Sequence, residues 1–253
     1  MSDAATLRRL RETILRTSAA AKEGHISSAF SILEIVWTLY DRVMMLRDDD
    51  RDDRFVLSKG HSVLALYAVL AEKGYFSPEL LATFCQPGSK LYGHPDHTVP
   101  GVEVSTGSLG HGITVAVGMA KALKMKGSPA RVFCIVGDGE LNEGSCWEAA
   151  LIAAHHKLDN LTVIVDWNRS GERALRMDSI GAKFDAFGWV TNECSGHSVV
   201  DLESVLRLHV SNRPVCIVAH TTKGAGCAPM ENDPSWHHRY PRPDELESLL
   251  SSL

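Results

Sequence analysis

Two apolar runs, ARVFCIV at 130–136 and LTVIVD at 161–166, constrain this chain more than any other feature of it. Neither alternates polar with apolar residues, so a strand built from either must be covered on both faces. A third run, PVCIVAHT at 214–221, reads the same way. Segments with three- and four-residue apolar spacing lie between and before them, and strands alternating with helices predict an α/β chain: a mostly parallel sheet with helices on both faces. Strands are expected at 131–136, 161–166 and 214–221. The first runs straight into GDGELNEG, and the second ends at Asn168, thirty positions past Asp138.

The remaining elements follow from spacing and punctuation. An amphipathic helix carrying Leu7, Leu10, Ile14 and Leu15 is predicted to end near Lys22, with EGHISS (23–28) as a loop. A second helix is marked by Ile32, Ile35, Val36, Leu39, Tyr40 and Val43. The acidic run DDDRDD (48–53) reads as a solvated loop, followed by the short run FVLSKGH and a helix over 63–73. Ser77-Pro78-Glu79 has the form of a helix start, with Ser as N-cap and Pro at the first position. Residues 86–112 form a long irregular loop, and such loops inside compact domains are usually functional. Helices are expected at 113–125 and 145–157, and a tail that begins irregular should close in a short helix at PDELESLLSSL. With no repeat and no linker, residues 1–253 read as a single domain.

Composition removes several classes of function. A net charge of −5 gives no electrostatic reason to bind nucleic acid. No apolar stretch approaches the ~20 residues needed to cross a bilayer. Arg8, Arg9, Arg11 and Arg16 near the N-terminus precede no apolar core, so the opening is not a secretory signal. An amphipathic helix is the reading preferred over a transit peptide. Six cysteines contain no C-x-x-C pair, and Cys134 and Cys216 sit inside apolar runs; this is the usage of a reducing compartment, with the cytoplasm as default.

In open parallel sheets, ligands bind beyond the carboxyl ends of the strands. Gly137 and Gly139 let the backbone turn and come close to a ligand. The helix that follows aims its first N–H groups at the same place, which favours phosphate. Asp138 would repel a bare phosphate, and a divalent cation between them removes the conflict. Mg²⁺ takes oxygen ligands at ~2.1 Å from one or two protein groups, substrate phosphates and water. GDG alone is most often only a turn; GDG at one strand end with Asn168 at another reads as a Mg²⁺–diphosphate site. Neither G-x-x-x-x-G-K-[ST] nor a strand-linked G-x-G-x-x-G is present to support a plain nucleotide-binding protein.

GDGELNEG…DWN resembles the thiamine diphosphate motif, and the chain as a whole resembles the N-terminal, diphosphate-binding part of the transketolase family. The resemblance is carried in family order by EGHISS (23–28), RFVLSKGH (54–61), KLYGHPDHTVPGVEVSTGSLGHG (90–112), GDGELNEGSCWEAALIAAHHKLDNL (137–161), KFDAFGW (183–189) and AHTTKGAG (219–226). It implies the thiamine diphosphate-binding fold. It implies Asp138, Asn168 and the Ser170 carbonyl as Mg²⁺ ligands. His61 and His237 would contact the diphosphate, with His238 as a rival to His237, and Gly137, Gly139 and Glu140 would lie along it. Gly107, Ser108 and Leu109 would lie against the cofactor rings. His25 and His94 would face the substrate oxygens, so that His25, His61, His94 and His237 form the expected catalytic set. Glu143 and Glu148 would join a carboxylate cluster at an interface between subunits, and His111 stands where a polar contact near the cofactor is an even alternative to none. Histidine, with an ordinary pKa near 6.5, can move protons on and off sugar oxygens at neutral pH.

Transketolases continue into a pyrimidine-binding domain, which carries the glutamate that activates the cofactor and most contacts to the sugar phosphate. The resemblance therefore implies three things. A separately encoded C-terminal chain completes the site, two of each chain form a heterotetramer, and a two-carbon ketol unit passes between sugars or sugar phosphates. The competing expectation is a fragment of a longer protein, against which stand Met1 and the closing helix. Ile26 and Ser27 stand where the family usually has Pro and Gly, and RSGERALRMDS after Asn168 is more polar than usual. These departures leave open another acyloin-forming thiamine enzyme with a keto acid or acyl donor, and a non-catalytic regulatory chain.

Overall fold

A computed structural model describes residues 2–46 and 52–253. Among them, five strands form one parallel sheet: β1 (Arg54–Leu57), β2 (Val132–Gly137), β3 (Leu161–Trp167), β4 (Val190–Ser195) and β5 (Val215–His220), in the order β1-β2-β3-β5-β4. Alternation along β2 explains the unbroken apolar runs. Phe133 and Ile135 enter one core with α1 (Asp3–Ala21), α2 (Ile26–Thr38), α3 (Val63–Glu72) and α7 (Val199–Leu206). Val132, Cys134 and Val136 enter the other with α4 (His111–Met125), α5 (Gly144–His155) and α6 (Ile180–Ala186). The closing helix α8 (Leu246–Ser251) docks Leu249 and Leu250 into the first core. The expected doubly covered parallel sheet is what forms, and all six cysteines are free.

The structure departs from the sequence reading at instructive places. β4 carries no apolar signal: its sequence VTNECS is polar because it is an edge strand, paired only to β5 and half exposed. Helix α2 begins at Ile26, not at Ile32, so only the first half of EGHISS is loop. Ser27 and Ser28 are buried in its first turn, where Ser27 Oγ donates to the Trp236 carbonyl at 2.8 Å. Ser77 stands ahead of a 3-10 turn (Pro78–Thr83), but its hydroxyl pairs with Glu79 and does not cap. The acidic run lies mostly outside the described residues. Its last member is not solvated: buried Asp53 accepts from the Arg131 and Met45 N–H groups at 2.7 and 3.0 Å. Lining up Arg54 with Val132 and Gly137 with Asp166 brings the polar ends of β2 and β3 side by side.

Candidate active site

The register sets the site. Asp138 N–H donates to the Asp166 carbonyl at 3.2 Å, closing β2 onto β3 one residue past the ladder. After Asn168 the chain turns back through Arg169 at φ 63°, a left-handed conformation, and returns beneath the GDG loop. Gly171 has to be glycine: a Cβ there would lie 2.6 Å from Gly139 Cα. Gly139 and Gly171 donate to Asp138 Oδ1 at 2.7 and 3.3 Å. The other oxygen, Oδ2, is buried and has no hydrogen-bond partner. An orphaned carboxylate oxygen inside a protein is costly unless a cation completes it. Burial and then nearby Asp166 raise the Asp138 pKa, and the Gly139 and Gly171 N–H groups and the Lys59 charge offset them only in part.

Asn168 is fixed beside it. Its amide nitrogen donates to Ser31 Oγ and Asp166 Oδ2, each at 3.0 Å, which turns Oδ1 toward Ser170 N–H at 3.0 Å and leaves that oxygen a second lone pair. One free carboxylate oxygen, one amide oxygen and an adjacent turn fit a hard, oxygen-seeking dication such as Mg²⁺. Asp138, Gly139, Asn168, Ser170, His61 and His237 all line a single cleft of about 680 Å³.

Beneath the cleft lies a polar cluster that the sequence motifs do not single out. Asp166, fully buried, accepts from Lys59 Nζ, Ser31 Oγ (2.7 Å), Thr221 Oγ1 and Asn168 Nδ2. Burial alone would raise its pKa, but Lys59 and the hydroxyl donors hold it below the usual carboxylate value. The signal that could have found it is an acid closing an otherwise apolar strand, two residues before Asn168. Lys223, in AHTTKGAG, is a second residue that motif reading misses. It lines the cleft and sits 2.7 Å from His237 Nδ1, while burial and then repulsion from Lys59 bring its ammonium down to about 8.

At the mouth the expected catalytic histidines converge. The His25 ring centroid lies 5.2 Å from His61, 6.4 Å from His94 and 5.5 Å from His237. Burial, then the neighbouring imidazoles, brings His25 down to about 4. His61 is pushed further, by burial and then Lys59, and burial also lowers His94 and His237. All four rings are therefore neutral at pH 7 and able to accept or donate a hydrogen bond. The rivals separate: His237 faces the cleft with Lys223, whereas His238 stacks on His25 at 4.4 Å and pairs with Glu23.

The remaining expected residues are placed less uniformly. Gly107 and Leu109 line the cleft, and Gly107 lies against the His94 ring, which a Cβ would touch at 3.4 Å. Ser108 is exposed and does not line it. Gly137 and Glu140 lie in the wall, but Glu140 spends both carboxylate oxygens on the protein: Ser58 Oγ and Gly110 N–H (2.9 Å) on one, Gly137 N–H (3.1 Å) on the other. It braces the loop before α4 against the GDG turn. His111 opens α4 as an exposed residue. Glu143 and Glu148 are exposed ahead of and on α5, which also exposes Leu151 (56%) and Ile152 (46%).

Comparison with known proteins gives a consistent answer. Residues 2–249 match the family model described as transketolase, thiamine diphosphate binding domain. A protein from Actinobacillus succinogenes, named as one lettered subunit of apulose-4-phosphate transketolase, is 43% identical, the match covering 96% of this chain and 92% of that protein. The protein of the same name from Phocaeicola vulgatus is 40% identical over 96% of this chain and 90% of that protein. Among solved structures, transketolase from Leishmania mexicana superposes with a TM-score of 0.87 at 28% identity over 100% of this chain, which spans only 40% of that longer polypeptide.

Proposed function

The chain belongs to the transketolase family through its thiamine diphosphate-binding domain, and from that premise we propose that it is the cofactor-binding subunit of a split transketolase. In this reading residues 1–253 act as one diphosphate-binding domain, and a separate C-terminal chain supplies the pyrimidine-binding domain. Two of each associate, with exposed Glu143, Glu148, Leu151 and Ile152 as part of the contact. The reaction moves a two-carbon ketol unit from a ketose, or its phosphate, to an aldose. The names of the Actinobacillus and Phocaeicola relatives favour apulose 4-phosphate among ketose phosphates. A cytoplasmic location belongs to the same proposal; among the described residues no helix is long and apolar enough to cross a membrane.

The observation that carries the reading is the buried, unpartnered Oδ2 of Asp138, held beside Asn168 by the ends of two adjacent strands. Asp138, Asn168 and the Ser170 carbonyl would hold Mg²⁺, and Gly139, His61 and His237 would meet the diphosphate. When bound, thiamine diphosphate supplies a nucleophilic carbon and an electron sink. The protein's part is to orient and to move protons. His25 and His94, neutral in the mouth, reach substrate oxygens; His61 and His237, backed by Lys59 and Lys223, sit over the anionic end of the cleft.

Calorimetry on the assembled complex should show thiamine diphosphate binding that requires Mg²⁺ and disappears in Asp138→Ala. No binding to the unaltered complex would instead favour a regulatory role. Turnover of xylulose 5-phosphate with release of glyceraldehyde 3-phosphate supports ketol transfer; CO₂ from pyruvate without that product rejects it in favour of another acyloin-forming enzyme.

A further inference from the structure

Two side chains with no part in this reading, Glu23 and His238, gather around one that has a part, His25. Glu23 and His25 come from the loop between α1 and α2, and His238 comes from the C-terminal segment. The two segments are zipped together by a parallel bridge between His25 and Arg239, and by Ser27 Oγ donating to the Trp236 carbonyl. The zipper delivers one carboxylate oxygen and two imidazole nitrogens that all lie within 4.8 Å of one another. Glu23 Oε1 and His238 Nε2 are already joined by a hydrogen bond, and the His238 ring lies almost parallel to His25, at 12°.

We propose that Glu23, His25 and His238 form a second cation site at the mouth of the cleft, suited to Zn²⁺ or another nitrogen-seeking divalent ion and separate from the Mg²⁺ position at Asp138. The chemistry of the donors makes the distinction. Two imidazoles and one carboxylate are a common zinc set with a fourth position open, whereas Mg²⁺ takes oxygen. Metal–ligand bonds of ~2.1 Å require donors roughly 3.4 Å apart in a tetrahedral site, so Glu23 and His238, now 2.5 Å apart, must open, and the His238 ring must turn out of its stack on His25 for one ion to lie in the plane of both rings. The side chains can do so: Glu23 is 39% and His238 58% exposed, so no packed core fixes them. A cation takes the place of the proton that joins Glu23 to His238. His25 lines the cleft, so an ion that engages its ring draws it from its place beside His61 and His94 and thereby blocks substrate. That consequence, unlike the binding itself, rests on the transketolase reading.

Co²⁺ is the probe, because a four-coordinate, nitrogen-ligated ion absorbs far more strongly in the visible than a six-coordinate, oxygen-ligated one. The full chain in excess Mg²⁺ should develop an intense visible band saturating at one equivalent of Co²⁺. His238→Gln should weaken binding at least about tenfold, and Asp138→Ala should leave the band unchanged. Circular dichroism confirms that each variant is folded; the half-exposed His238 leaves no cavity. Absence of the band overturns the proposal, as does a band that persists in His238→Gln or vanishes in Asp138→Ala. In the assembled enzyme, Zn²⁺ should inhibit turnover, with at least about tenfold more needed in His238→Gln; equal sensitivity overturns the inhibitory role. A complex inactive without any added Zn²⁺ would count against the preceding reading, while the cobalt spectrum still decides the site.

Discussion

At the floor of the cleft, buried Asp166 takes hydrogen bonds from Lys59, Ser31, Thr221 and Asn168, so that each polar group there is answered by another from the same chain. At the mouth, His25, His61, His94, His237 and His238 crowd together ring to ring, and the described bonds to their ring nitrogens reach only Lys223 and Glu23. The floor is a finished structure. The mouth is a surface of partly used donors and acceptors open to other molecules. Between them stands Asp138, with one oxygen spent on the floor's backbone and the other spent on nothing. Stability should therefore reside in the floor and ligand affinity above it, and substitutions can break that division.

The largest effect is expected from Asp166→Ala. It leaves the Lys59 ammonium, itself 2% exposed, without its carboxylate. Removing one partner of a buried ion pair costs about 3–5 kcal/mol because the other charge stays buried. Urea unfolding of the chain measures it; a loss below about 1 kcal/mol would mean that the floor is not where stability lies.

Asp138→Asn should do the reverse. The amide oxygen keeps an acceptor for Gly139 and Gly171, while the charge beside Asp166 disappears. An acid whose folded pKa is raised destabilises the fold at any pH where the unfolded chain is ionised, so at pH 7 the apo chain should be unchanged or more stable by up to about 1 kcal/mol. Thiamine diphosphate binding with Mg²⁺ should weaken at least about 100-fold. A variant that binds normally would separate the orphaned oxygen from the cation.

The histidines give the mouth a pH signature. A base whose folded pKa is lowered binds its proton first in the unfolded chain. Stability should accordingly fall as pH drops from the ordinary imidazole value of 6.5 toward about 4, and be flat above. His61, His94 and His237 push the same way. His25→Asn should flatten part of that slope, measured by chemical unfolding at several pH values with a chelator present. An unchanged slope would mean that His25 already gains its proton in the fold.

How much of this is legible in the sequence follows the same division. The two-sided apolar pattern of β2 and β3 announces a covered parallel sheet, because sheet chemistry is written in local composition. Asp138, Asn168 and the histidines are legible as motifs at fixed spacing. β4 is not, since an edge strand such as VTNECS needs few apolar residues. Asp166 and Lys59 both lie within conspicuous segments, yet their pairing across 107 positions depends on strand register, which no local pattern states. Asp53 reads as one more acid in a solvated run because its partner, Arg131, lies at the start of a different strand. Glu140 looks like a ligand contact by position, and only the arrangement of Ser58, Gly110 and Gly137 around it reveals a brace.

The smallest effect sharpens the contrast most. Glu23 and His238 are joined by a close side-chain hydrogen bond, but with 39% and 58% of their side chains in water. Exposed pairs contribute roughly 0–1 kcal/mol, because water screens the charges and fixing two mobile side chains costs entropy. Glu23→Gln in metal-free buffer should therefore change unfolding stability by less than about 1 kcal/mol, several-fold below the effect of Asp166→Ala. Glutamine keeps an oxygen for His238 but gives up the charge that attracts a cation. The same substitution should lower Co²⁺ affinity while leaving the urea midpoint almost where it was. A large stability loss with intact cobalt binding would reverse the assignment, making the mouth part of the scaffold.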